Sequence, residues 1–174
     1  MKIFNGEILF LDRADINTDE IIPARYLTEV DKEALKPHLL EDLCLDGFLH
    51  GRDIEGKRVI VSRSNFGCGS SREHAAWALE VNGIHLVIAE SFARIFRQNM
   101  FNCGMMALEL PAKSIDRLFV EFAKEKARLR TDFDRETLTM YGSDREAVFD
   151  FSLSTFDRAL VEAGGWVEFA DQRY

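Results

Sequence analysis

From Lys57 to Pro111 short apolar runs alternate with stretches of helical spacing, and this alternation restricts the possible fold more than any other feature. KRVIVS, HLVIAE and MMALELP read as strands, while SREHAAWALEVNG and SFARIFRQNMF, set between them, have the period of helices. Units of this kind demand an α/β fold with parallel neighbouring strands. The flanks differ in character. FNGEILFLD reads as an opening strand, and TLTMYGSDREAVFDFS as an antiparallel hairpin about Gly142, Ser143 and Asp144, so the sheet is expected to be mixed. SIDRLFVEFAKEKARL is read as one long amphipathic helix whose Lys124–Arg130 end is solvated, and STFDRALVEAGG as the last helix. RADINTDEIIPARYL reads as a polar loop ending in an extended Ile-Ile-Pro segment. DKEALKPHLLEDL is helical but broken at Pro37, and LDGFLHGRDIEGK is rich in turns, so residues 29–57 are expected to be a mobile connection within one domain spanning 1–174.

Composition excludes several functions. The chain has 174 residues, 47% of them hydrophobic and 30% charged, which suits a single folded domain with its own core. A net charge of -8 argues against general binding of nucleic acid or anionic membranes, and requires local positive groups to capture any anionic substrate. No run approaches the ~18 apolar residues of a membrane span. Glu7 interrupts the N-terminal apolar run, which has no small-residue cleavage site and does not read as a signal peptide. Three widely spaced cysteines form no disulfide framework, and the expectation is a cytoplasmic protein.

The stretch NFGCGSSREHA, Asn65 to Ala75, directly follows a strand and opens a helix. Ser70 and Glu73 have the spacing of a capping box, with Gly67 and Gly69 turning the chain. The run lacks the lysine of a phosphate-binding loop, and Arg72 stands where a dinucleotide fingerprint needs its third glycine, although a bare helix start can still bind an anion. It does not supply the G-x-S-x-G of a hydrolase elbow. A further possibility is that Ser70 is a base. Its alkoxide would be stabilised by backbone N–H groups and Arg72, whose fork suits a carboxylate, while Gly69 lets a substrate approach the backbone. Cap and base remain alternatives on the residues alone.

NFGCGSSREHAAWAL and DINTDEIIPARYL, with VIAESFARIFRQN following, resemble the small-subunit family of 3-isopropylmalate dehydratase, equivalent to the swivelling C-terminal domain of aconitases. The resemblance implies a swivelling β/β/α domain that pairs with a separate large subunit. That subunit would hold a [4Fe–4S] cluster binding a small dicarboxylic hydroxy acid, and no cofactor would be bound by this chain. It further implies that Ser70 removes the C–H proton, that Arg72 grips a substrate carboxylate, and that Ser71, Gly69, Thr18 and Asp19 line the same pocket. Dehydration of a β-hydroxy acid also needs a Lewis acid to carry off hydroxide. Cys44, Cys68 and Cys103 lack ferredoxin-type spacing, and Cys68 and His74, like Cys44 and His50, sit six apart without a second matching pair.

Tyr26, Leu27 and Thr28 fall where the family's specificity loop lies. Archaeal relatives resemble Tyr-Leu-Val-Tyr for isopropylmalate and Tyr-Leu-Arg-Thr for homoaconitate; this chain continues with Thr28 and Glu29 and has neither form. The absence of a basic residue at Thr28 leans toward a substrate with an apolar branch, giving leucine biosynthesis as the expected pathway. Homoaconitate, a methylated malate, or non-catalytic anion binding stand as alternatives. His74 is a candidate partner of Ser70 or a loop-fixing histidine, and Cys68 a small space-filler. Arg94 and Arg97 could face the pocket, the partner or solvent; Trp77, Phe92, Phe96 and Phe101 read as core.

Overall fold

The computed structural model describes residues 1–174. Its centre is a seven-stranded mixed sheet in the order β4-β3-β2-β1-β5-β6-β7. Strands β1 (Gly6–Leu11), β2 (Lys57–Ser62), β3 (Leu86–Ala89) and β4 (Met106–Glu109) are parallel, registered as Ile8 on Val59, Ile60 on Val87 and Val87 on Ala107. Every residue of β3 is buried, as expected of a strand covered on both faces. Helices α2 (Glu73–Val81), α3 (Arg94–Asn102) and α4 (Ala112–Phe122) occupy the connections and contribute Ala75, Ala76, Leu79, Phe96, Phe101, Leu118 and Phe122 to the core. Phe96 and Phe101 are thus core as expected; Trp77 and Phe92 are only partly buried against it.

The other half is antiparallel. β5 (Arg128–Asp132), β6 (Thr137–Tyr141) and β7 (Glu146–Asp150) alternate buried and open residues, as a sheet with one solvated face should. The hairpin about Gly142–Asp144 forms where expected. Two expectations fail. The long helix does not reach Leu129: α4 ends at Phe122, and Arg128–Asp132 instead pairs with β1 and β6, burying Leu129 and exposing Arg128 and Arg130. The chain also continues past the paired glycines. After α5 (Thr155–Ala163), Gly164 takes a left-handed φ of 98° and Gly165 becomes the N-cap of a further helix, α6 (Trp166–Arg173).

The TDEI segment, expected as loop, forms a single helical turn, α1 (Thr18–Ile21). Residues 29–57 contain a 3₁₀ helix, Lys32–His38, which retains Pro37, followed by turns. The 3₁₀ helix is fastened to α2 by Lys32 on Glu80 at 2.9 Å and by the Asn82 amide donating to the Lys36 carbonyl at 3.1 Å. No helix is long and apolar enough to cross a membrane.

Candidate active site

Three loops leave the carboxyl ends of β1, β2 and β3 side by side, the position at which parallel α/β sheets present ligand sites. They are laced together through their backbones. Asp15 N–H donates to the Ser64 carbonyl (2.9 Å), Gly67 N–H to Ile16 (2.8 Å), Thr18 N–H to Cys68 (2.8 Å), and Ala93 N–H to Phe66 (3.0 Å). Asp15 and Asn65, one from each long motif, both adopt left-handed φ (57° and 58°), and the Asn65 amide donates to the Asp15 carboxylate at 2.8 Å. Strained residues of this kind persist only where the surroundings fix them. Gly67, at φ 81°, has no room for a side chain because a Cβ would overlap the Phe96 ring.

A cleft of about 210 Å³ opens above these loops, lined by Gly67, Gly69, Ser70, Ser71, Ala93, Arg94, Ile95 and Phe96. Ser70 and Ser71 are exposed in it. The capping box read at Ser70–Glu73 is not formed. Helix α2 begins at Glu73, its N-cap is Arg72, and no side chain caps it. The N–H groups of Gly69, Ser70, Ser71 and Arg72 have no backbone acceptor. The same sequence pattern is satisfied elsewhere: Asn17 accepts from the Glu20 N–H at 3.0 Å while the Glu20 carboxylate accepts from the Asn17 N–H at 3.1 Å.

Beside the cleft, Arg72 is paired with Asp19; the arginine side chain is 13% exposed and the aspartate side chain 61%. Thr18 is 1% exposed and lies beneath the loop, where its Oγ1 has no partner and a Cβ on Gly69 would stand 3.3 Å from it. Tyr26, Leu27 and Thr28 are outside the cleft lining. Tyr26 stacks on His38 with ring centroids 3.7 Å apart, and Leu27 ends a 3₁₀ turn, Ala24–Tyr26. His74 reaches this loop rather than Ser70: its Nε2 donates to the Glu29 carbonyl at 2.9 Å, and its ring lies 4.6 Å from that of Trp77. Of the two arginines weighed for the pocket, Arg94 lines it. Arg97 pairs with Asp157 at 3.2 Å and covers Phe101. Sequence reasoning did not single out Ala93, Ile95 or Phe96 as cleft residues; the available signal was that a segment following one parallel strand adjoins the loop after its neighbour.

The three thiols are apart and unpaired. Burial pushes the Cys68 thiol above its ordinary pKa and that of Cys103 up to about 11. No group of three or more His, Cys, Asp or Glu side chains converges on a metal-binding point, so this chain's donors do not fit an iron–sulfur cluster.

Comparison with known proteins assigns this architecture. The aconitase C-terminal domain family matches residues 6–113, and the chain belongs to that family. Its expected fold, a mixed sheet of the aconitase C-terminal type, is therefore correct. Within the family, the chain is 38% identical over 152 residues to the 3-isopropylmalate dehydratase small subunit of Aromatoleum aromaticum, covering 77% of this chain and 71% of that one. It is 37% identical to the small subunit of the same name from Pseudoalteromonas translucida, over 90% of this chain and 83% of the relative. The crystal structure of 3-isopropylmalate dehydratase from Methanocaldococcus jannaschii superposes with a TM-score of 0.79 at 32% identity, covering 98% of this chain and 95% of that one.

Proposed function

We propose that the chain is the small subunit of a hydro-lyase that interconverts 2-isopropylmalate and 3-isopropylmalate by dehydration and rehydration, within leucine biosynthesis, and that it works with a large subunit. The observation that supports this most is the Ser70 hydroxyl, exposed in a cleft at the uncapped entrance of α2 and surrounded by unengaged backbone donors. In dehydration, Ser70 Oγ takes the proton from the carbon α to a carboxylate. The C–H electron pair becomes the new C=C bond as hydroxide leaves the neighbouring carbon. A serine oxygen is basic enough only as an alkoxide, and the N–H groups of Gly69–Arg72 together with nearby guanidinium charge supply the stabilisation it needs.

Arg72 would share its remaining donors with a substrate carboxylate while Asp19 holds the guanidinium in place. Ser71 and Gly69 complete the carboxylate contacts, with Thr18 supporting the loop from below. A [4Fe–4S] cluster, which would be held by the large subunit, would supply the Lewis acid for the departure of hydroxide. An apolar branch suits the loop that His74 anchors: Thr28 brings no charge, and Val30, next to the anchored Glu29, is 92% exposed. In this reading residues 29–57 are the segment that adjusts between subunits. Its free, exposed Cys44 fits the reducing cytoplasm.

The reconstituted two-subunit enzyme, offered isopropylmalate, homoaconitate and methylated malates, tests the reading. Turnover of the isopropylmalates is expected to dominate and to disappear in Ser70→Ala. Preference for homoaconitate would move the subunit to the sibling activity, and full activity of the alanine variant would leave only an anion-binding role.

A further inference from the structure

We propose that Arg94 is a second substrate-binding cation of this site, placed against the carboxylate adjacent to the carbon that loses its proton. The proposal rests on the reading of Ser70 as the base. Two arginines are near Ser70, and their circumstances are opposite. Arg72 is largely buried and already paired with Asp19, and it is absent from the cleft lining. Arg94 is exposed, lines the cleft together with Ser70 and Ser71, and forms no ion pair within the chain. Arg97, one turn further along α3, is engaged by Asp157 and by the Phe101 ring. On a chain carrying a net charge of -8, an unpaired arginine in the cleft lining is a source of the local positive field that an anion requires.

Geometry then selects which part of the substrate it meets. The cleft, about 210 Å³ and open to solvent, is of the size of a small hydroxy acid, and Ser70 and Arg94 both stand in its wall. If Ser70 Oγ is to reach the C–H, the group that enters with that carbon is its own carboxylate, one bond away. As the proton passes to Ser70, the electron pair spreads onto this carboxylate and gives it enediolate character with a second negative charge. A cation beside it therefore gains more in the transition state than in the ground state, which lowers the barrier rather than merely tightening binding. Ile95, the next residue and 42% exposed at the same cleft, presents an apolar surface beside that charge.

Arg72 and Arg94 accordingly divide the work. Arg72, oriented by Asp19, offers a fixed fork; Arg94, untethered, offers charge. The distinction is measurable in the reconstituted enzyme at saturating large subunit. Arg94→Gln is expected to lower kcat/KM about 100-fold, mainly through kcat, as loss of a charge-stabilising donor does. Arg94→Lys should recover to within about tenfold of the parent, since a point charge suffices here. With substrate deuterated at the carbon that is deprotonated, Arg94→Gln should show a larger kinetic isotope effect than the parent enzyme. A purely structural or assembly role would not produce that change.

The proposal is overturned if Arg94→Gln turns over normally while Ser70→Ala is inactive, in which case the base stands and the second cation does not. It is overturned equally if the Gln defect vanishes as the large subunit is raised, which would make Arg94 a docking residue. Retention of turnover by Ser70→Ala would remove the reading of the base, and Arg94's role with it.

Discussion

Two helix entrances meet at this site and are built in opposite ways. Helix α1 opens on a complete capping box, with Asn17 and Glu20 satisfying each other's backbone N–H groups and Arg13 holding the Glu20 carboxylate. Helix α2 opens on Arg72 with no cap, and leaves the preceding N–H groups without backbone acceptors. The two entrances are joined, since the Asn17 and Cys68 segments form a parallel bridge and Thr18 donates to the Cys68 carbonyl. One entrance is closed and rigid; the other is left open and held in position by the first. Unengaged donors are unfavourable in a structural loop but necessary where a developing negative charge must be met on arrival.

Ser70→Ala probes the open entrance most strongly. Loss of a general base typically costs about 10²–10⁴-fold in rate, and turnover of the reconstituted enzyme is expected to fall by at least about 10³-fold. Because Ser70 does not cap α2, thermal stability of the chain should stay within about 0.5 kcal/mol of the parent. A melt lowered by a full cap's worth, about 1 kcal/mol, would mean that the serine closes the helix in solution and that the contrast between entrances is wrong.

Gly67→Ala should come next, acting on the hinge between the two entrances. An alanine in the left-handed region costs roughly 1–2 kcal/mol, and overlap with the Phe96 ring adds roughly 1–3 more. A loss of about 3 kcal/mol, near 10 °C in melting temperature for a chain of this size, is expected by calorimetry or denaturant titration. Ring movement at Phe96 would also distort the cleft, so activity should fall with stability. An unchanged melt would show that the loop has freedom the structure does not suggest.

Arg72→Lys separates a held fork from a mere charge. Hydrogen bonds to charged groups are worth about 1.5–3 kcal/mol, so losing the planar geometry should reduce kcat/KM roughly 10–100-fold, with KM raised. A near-normal KM would assign the carboxylate grip elsewhere. The expected order, with lysine tolerated better at Arg94 than at Arg72, follows from Asp19 fixing only the second of these.

Much of the fold was legible because β2, β3 and β4 are continuous apolar runs and the hairpin has a clear turn. β5 was not, since Lys124 to Arg130 has the charge pattern of a solvated helix, and only pairing of Leu129 and Arg128 with β1 turns it into a strand. Of the candidate cleft, Gly69, Ser70 and Ser71 could be picked out in the sequence, but their arrangement could not. Both Asn17-x-x-Glu20 and Ser70-x-x-Glu73 have the capping pattern; tertiary contacts decide between them, because the Asn17–Cys68 bridge and the Arg72–Asp19 pair keep the second segment out of the helix up to Arg72. The third wall of the cleft, Ala93–Phe96, comes from a strand neighbour whose identity depends on the order of the sheet.

The smallest effect is also the most discriminating. Asn17→Ala removes a real capping box and should cost about 1 kcal/mol, or roughly 2–4 °C in melting temperature. Ser154→Ala removes the cap of α5, where Ser154 Oγ accepts from the Asp157 N–H at 3.0 Å, and should cost a similar amount. The two variants should therefore be alike in stability and unlike in catalysis. Ser154 follows β7 and is not among the residues lining the cleft, and its loss should leave kcat/KM unchanged. Asn17 supports the segment bridged to Cys68, two residues before Ser70, so its loss should lower kcat severalfold even at temperatures where the fold is fully formed. If both variants retain parental kcat, the closed entrance is only a helix cap, and the open one holds its geometry without help from it.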